Sequence, residues 1–201
     1  NVPLSIKLEE SNDLLFRLIH GDVQYIMVSG QQLKKIRLIK DKLPLLKHII
    51  VFDEAIDNLK GTEDKEITAS EVFAMGDKFL AEHTMEEFLS VANSLQNDDY
   101  ATITYTSGTT ADPKGVVLTH RNYTANVEQA CTLVNIDETW RTLIILPLDH
   151  CFAHVVGFYI MMSKGASVAT TQVGRTPMET LKNIPLNIKE VRPHFILSVP
   201  A

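Results

Sequence analysis

One stretch limits the possible folds more than any other. Residues 101–106 alternate small or apolar with hydroxyl side chains, as a half-buried strand does, and residues 116–118 read as a second strand. The residues between them, Ser107-Gly108-Thr109-Thr110-Ala111-Asp112-Pro113-Lys114-Gly115, cannot continue either strand, because two glycines and a proline interrupt the run. Asn97-Asp98-Asp99 signals a turn just before it, and Tyr123, Val127, Ala130, Cys131 and Val134 mark one face of a helix after it. The predicted order is strand, polar loop, strand, helix.

The rest of the chain alternates in the same way. Residues 25–29 and 48–52 are short apolar runs, and Leu33, Ile36, Ile39 and Leu43 recur between them at near-helical spacing, a βαβ pattern that favours parallel pairing. Capping boxes at Thr68-x-x-Glu71 and Thr84-x-x-Glu87 open two helices, the second with Met85, Phe88, Leu89, Ala92 and Leu95 on one face and expected in the core. Further on, residues 143–146 and 168–169 read as strands, 152–162 as a buried helix, Thr176-Pro177-Met178-Glu179 as a helix start, and 195–199 as a last buried strand. The fold class predicted is α/β, a single unit with one ordinary core and no internal linker.

Composition narrows the function classes. With 19 Lys+Arg against 25 Asp+Glu, a net charge of -6 leaves no dominant cationic patch for nucleic acid. The densest cationic run, Lys34, Lys35, Arg37, Lys40 and Lys42, is expected to be the solvated face of a helix. Pro147, Asp149, His150 and His154 break the apolar stretch from 143 to 162, so no transmembrane helix is predicted. Cys131 and Cys151 form neither a zinc-like spacing nor a disulfide framework, which makes a reduced, cytoplasmic setting the expectation. The chain starts Asn-Val-Pro-Leu and stops directly after a strand-like run, and is expected to be cut at both ends.

The loop also suggests chemistry. Thr106, Ser107, Thr109 and Thr110 offer hydroxyls, Gly108 and Gly115 allow close backbone approach, and Lys114 adds a compact positive charge, which together suit a phosphate. The Walker pattern does not fit, since Pro113 stands where it would need glycine.

The string from Tyr105 to Gly115 resembles the signature loop of the adenylate-forming superfamily, which includes acyl-CoA synthetases, luciferases and the adenylation domains of peptide synthetases. It departs from the common form YTSGTTGxPKG at Ala111, where a positive φ would cost alanine roughly 1 kcal/mol or more. Val116-Val117-Leu118-Thr119-His120-Arg121-Asn122 and Leu146-Pro147-Leu148-Asp149-His150 resemble the long-chain fatty acid:CoA ligase branch.

The resemblance implies part of a large N-terminal domain, mixed sheets flanked by helices, with the C-terminal lid domain absent. It implies two steps: a carboxylate attacks the α-phosphate of ATP, giving an acyl-adenylate and pyrophosphate, and the thiol of coenzyme A then displaces AMP. Thr106, Ser107, Gly108, Thr109, Thr110, Lys114 and Gly115 would bind phosphate, Mg²⁺ would bridge the phosphates, and His150 and Lys114 would be catalytic. The partners implied are small molecules (fatty acid, ATP and coenzyme A), with peripheral lipid contact for a fatty substrate. The isolated 201-residue chain is expected not to turn over.

Three alternatives stand beside this. The acid could be aromatic or short, or its acceptor a carrier protein; the chain could be a non-catalytic relic of the same fold, which Ala111 keeps open; or His150 and His154 could hold a hydrolytic metal. The last would need HExxH and a third ligand, whereas Cys151, Phe152 and Ala153 intervene, so no metal ligands are assigned in the protein.

Overall fold

A computed structural model describes residues 1–4, 11–52, 59–106, 113–148, 151–174 and 176–198, together with the backbone but not the side chain of Cys151. The chain divides into two compact units rather than the single one suggested by its sequence: Asn1–Asp99 with Tyr105–Val116, and Tyr100–Thr104 with Val117–Ala201.

The first unit opens with helix α1 (Ser11–His20) and continues through β1 (Tyr25–Val28), α2 (Gly30–Arg37), β2 (His48–Val51), β3 (Glu66–Thr68), α3 (Ala69–Glu82) and α4 (Met85–Asn93). The three strands form a parallel sheet in sequence order, with Ile26 opposite Ile49 and Ile50 opposite Ile67. Leu33 and Ile36 of α2 and the following Ile39 and Leu43 are all buried with Ile49 and Val51, so the predicted stripe is the core face of the crossover.

The cationic run is only partly solvated. Arg37 forks onto both oxygens of Glu66 at 2.7 Å each, and Lys40 Nζ lies 2.6 Å from Asp64. Glu66 has no exposed surface, and it also accepts the Lys60 backbone N–H at 2.9 Å. A buried carboxylate needs such partners, and they hold its pKa below the ordinary glutamate value, the Arg37 bond being the largest cause.

Both capping boxes form: the Thr68 and Thr84 hydroxyls accept the N–H groups of Glu71 and Glu87, whose carboxylates accept in return. The apolar face of α4 is not core in this chain, however. Phe88 is 51% and Met85 57% exposed, with Leu89 and Leu95 also exposed. Periodicity identified the apolar side of that helix but not what covers it.

β4 (Tyr100–Thr106) and β5 (Lys114–Thr119) pair as a two-stranded sheet, as expected for the strands flanking the loop. The second unit continues through α5 (His120–Leu133), β6 (Arg141–Ile144), α6 (Cys151–His154), a π-helical turn (Val155–Tyr159), α7 (Ile160–Ser163), β7 (Ser167–Thr170), α8 (Pro177–Val191) and β8 (Phe195–Ile196). Its sheet is parallel, in the order β7-β6-β8, with Leu143 at its centre fully buried.

Thr176 caps α8 through the Glu179 N–H, with Pro177 in the first turn as predicted. The last strand is half-buried rather than buried. The buried helix expected at 152–162 is split by the π turn, where the Ile160 N–H reaches back to the Val155 carbonyl. The turn brings Gly157 against β6, where a side chain's Cβ would lie 3.2 Å from Ile144 Cγ1.

Candidate functional site

β4 delivers Thr106, and β5 begins at Lys114, with Pro113 just before it. Thr106 and Lys114 are exposed, and Gly115 is half-buried. Among the described residues no carboxylate lies within ion-pair distance of Lys114. Ser107, Gly108, Thr109 and Thr110 lie outside the described residues, as do Ala111, Asp149 and His150.

In the first unit the strand end is anchored by α1. The Tyr105 hydroxyl donates to the Arg17 carbonyl at 3.3 Å and lies 2.7 Å from Nδ1 of His20. A phenol has one hydrogen, so with that hydrogen on the carbonyl the imidazole supplies the other. Phe16 and His20 pack edge-on to the Tyr105 ring, and the Arg17 guanidinium sits 5.3 Å above it, itself forked onto Asp13. Burial pushes the Tyr105 phenol up, so it remains a neutral hydrogen-bond donor at physiological pH. The residue immediately before Thr106 is thus held by ring packing, a cation and two hydrogen bonds.

The second unit contains the turn that leads toward His150. Ile145 and Leu146 are half-buried, and Pro147 and Leu148 are exposed. The Leu148 carbonyl lies 2.9 Å from Nδ1 of His154, and Nε2 of His154 lies 3.0 Å from the Tyr123 hydroxyl. Both nitrogens that a metal could use are therefore engaged by protein groups. Among the described residues no group of three or more His, Cys, Asp or Glu side chains gathers to hold a metal ion. Among them, too, no helix is long and apolar enough to cross a membrane.

Sequence reasoning singled out the strand ends but missed their supports. His20 and Arg17 sit in α1, eighty-five and eighty-eight positions from Tyr105. Tyr123 was read only as part of an apolar helix face. The i, i+4 spacing of His150 and His154 suggested a metal, whereas the fold directs His154 to a tyrosine thirty-one residues upstream.

The profile of the family described as AMP-binding enzyme matches residues 2–201. A long-chain-fatty-acid–CoA ligase of Xenopus laevis, ACSBG2, is 30% identical over 184 residues, covering 89% of this chain and 23% of that protein. Long chain acyl-CoA synthetase 8 of Arabidopsis thaliana is 28% identical over 197 residues, covering 94% of this chain and 26% of its own length. The chain thus spans about a quarter of these relatives. The anthranilate CoA ligase AuaEII, solved with anthranoyl-AMP, superposes with a TM-score of 0.72 at 19% identity, over 97% of this chain and 34% of that one, a likeness of fold.

Proposed function

Since the chain belongs to the family of AMP-binding enzymes, we propose that the polypeptide carrying it activates a carboxylic acid as an acyl-adenylate and passes the acyl group to coenzyme A. The acid proposed is a long-chain fatty acid. The observation that carries the reading is Lys114, an exposed cation unpaired with any described carboxylate at the start of the strand after the hydroxyl-rich connection.

A carboxylate is a poor acyl donor, and attack on the α-phosphate of ATP converts it into a mixed anhydride with AMP as leaving group, releasing pyrophosphate. Negative charge builds on the phosphoryl oxygens during that attack, and donors fixed in advance stabilise it best. In this reading Thr106, Ser107, Thr109 and Thr110 donate hydroxyls, Gly108 and Gly115 let the backbone approach, and Lys114 places its ammonium against the phosphates. His150 lies beside the acyl carbonyl.

Tyr105 holds the start of the loop through α1, so the hydroxyl of Thr106 is presented from an anchored backbone. Among the described side chains the exposed Thr106 hydroxyl is an oxygen ligand that Mg²⁺ could take beside substrate phosphates and waters. When bound there the ion would neutralise phosphate charge. We read residues 1–201 as part of a larger N-terminal domain, acting in the cytoplasm with a lid domain beyond it.

The test is pyrophosphate exchange and thioester formation by the complete polypeptide, with acids of graded chain length. Lys114→Ala is expected to lower kcat/KM for ATP by about a hundredfold, the scale for losing one preorganised charged donor. A wild type that makes no adenylate from any acid, or a Lys114→Ala variant as active as wild type, would overturn the reading.

A further inference from the structure

His154 bridges two segments of the second unit that the proposed chemistry needs. Its Nδ1 lies 2.9 Å from the Leu148 carbonyl, its Nε2 3.0 Å from the Tyr123 hydroxyl, and that hydroxyl 2.7 Å from Oγ1 of Thr102. A carbonyl can only accept, so Nδ1 carries the proton of the first bond. In the neutral ring Nε2 then accepts, which requires Tyr123 to donate its hydrogen to it and Thr102 to donate to the Tyr123 oxygen. With the ring neutral, the protons run one way, from Thr102 through Tyr123 and His154 to Leu148.

The chain is built into the fold. Thr102 and Tyr123 are only 7% and 8% exposed, and the His154 ring is flanked by Tyr123 and Tyr159 with centroids 5.4 Å and 5.6 Å away. His154 is the last residue of α6, immediately before the π turn. Its two anchors matter for where they lie in sequence. Leu148 is two residues before His150, and Thr102 is four residues before Thr106 on β4.

We propose that His154 is a positioning residue, whose imidazole ties the turn leading into His150, through the Leu148 carbonyl, to Tyr123 of α5 and through it to Thr102 of β4. The proposal rests on the adenylate-forming reading above. Imidazole suits the task because its two nitrogens point apart, one to each segment. Asparagine can reproduce the Nδ1 donor alone. His154 touches no reacting atom in this scheme; it acts through His150, so the acid's alignment in the attack depends on it while ATP is held by the loop.

The experiment measures adenylate formation by the complete polypeptide under single-turnover conditions, with KM for ATP and the thermal midpoint alongside. His154→Leu removes both bonds, and kcat should fall at least about tenfold, the scale of one lost hydrogen bond at the reacting centre, with KM for ATP nearly unchanged. His154→Asn restores the donor to Leu148 but not the bond to Tyr123, so kcat should recover only to about threefold below wild type while the midpoint stays lowered, a split that loss of packing alone would not produce.

A folded His154→Leu variant with wild-type kcat overturns the role, as does a His154→Asn variant as slow as His154→Leu. Should His154→Leu not fold, Tyr123→Phe removes the hydroxyl that Nε2 uses, the bond His154→Asn also lacks, so kcat should again fall by about threefold, and an unchanged kcat there overturns the role as well. A wild type that forms no adenylate overturns the adenylating function and this role with it, whereas the variant results bear on His154 alone.

Discussion

Replacing Glu66 by glutamine tests how the first unit tolerates a charge in its core. Glu66 has no exposed surface and accepts three bonds: Arg37 Nε on Oε1 and Arg37 Nη2 on Oε2, each at 2.7 Å, and the Lys60 N–H on Oε2 at 2.9 Å. A glutamine oxygen at the Oε2 position keeps two of them, but its amide then faces the Arg37 Nε–H, donor against donor. One charge-assisted bond is lost, about 1.5–3 kcal/mol, and Arg37 loses its nearest counter-charge while that of Asp64 still acts on it. The Arg37 side chain is 22% exposed, so water offsets part of that charge.

The expected loss is about 3 kcal/mol, a large share of the roughly 5–15 kcal/mol that stabilises a domain. Hydrogen exchange reads it locally, through the Ile49 amide, which bonds the Lys65 carbonyl at 2.7 Å beside β3. The pH dependence has a definite sign. Folding lowers the Glu66 pKa below the ordinary 4.5, so the ion pair's contribution is present in full above that value and is lost as pH falls through the depressed folded value. Wild type should therefore lose protection in β2 and β3 on acidification faster than Glu66→Gln, the two converging at low pH. Equal protection at neutral pH, or parallel acid profiles, would refute the argument.

Two further changes test other parts. Gly165 closes α7 with φ +67°, where the Ala166 N–H returns to the Met161 carbonyl at 2.9 Å; Gly165→Ala should cost about 1 kcal/mol from left-handed strain, read as a lowered denaturation midpoint at unchanged slope. Tyr105→Phe removes the hydroxyl shared by His20 and the Arg17 carbonyl and should cost about 1 kcal/mol; in the complete polypeptide it should also raise KM for ATP, because the backbone entering the loop loses its tie to α1.

Legibility in the sequence followed a physical boundary. The crossover from β1 through α2 to β2 could be read because apolar residues repeat at the periods of strand and helix, and both capping boxes formed because their partners lie three residues apart. β3 could not be read: it has three residues and its first, fully buried, is a glutamate, which hydropathy assigns to the surface until Arg37, twenty-nine residues away, is known to face it. The π turn also escaped, since one extra residue per turn leaves an apolar helix looking apolar.

The candidate site divides the same way. Its chemistry is local in sequence, hydroxyls, glycines and a lysine within eleven residues, and so the family resemblance could be seen in the string itself. Its mechanical support is not local. Tyr105 depends on α1, and the turn before His150 depends on a histidine whose second bond ends on α5. Such supports carry no motif, because a hydroxyl thirty or eighty residues away serves as well as a near one once the backbone brings it within 3 Å. Sequence alone therefore suggests what the loop could hold, while the residues that keep it in place have to be found in the fold, and variants at His20, Tyr123 and His154 should separate the two by changing turnover without changing the motif.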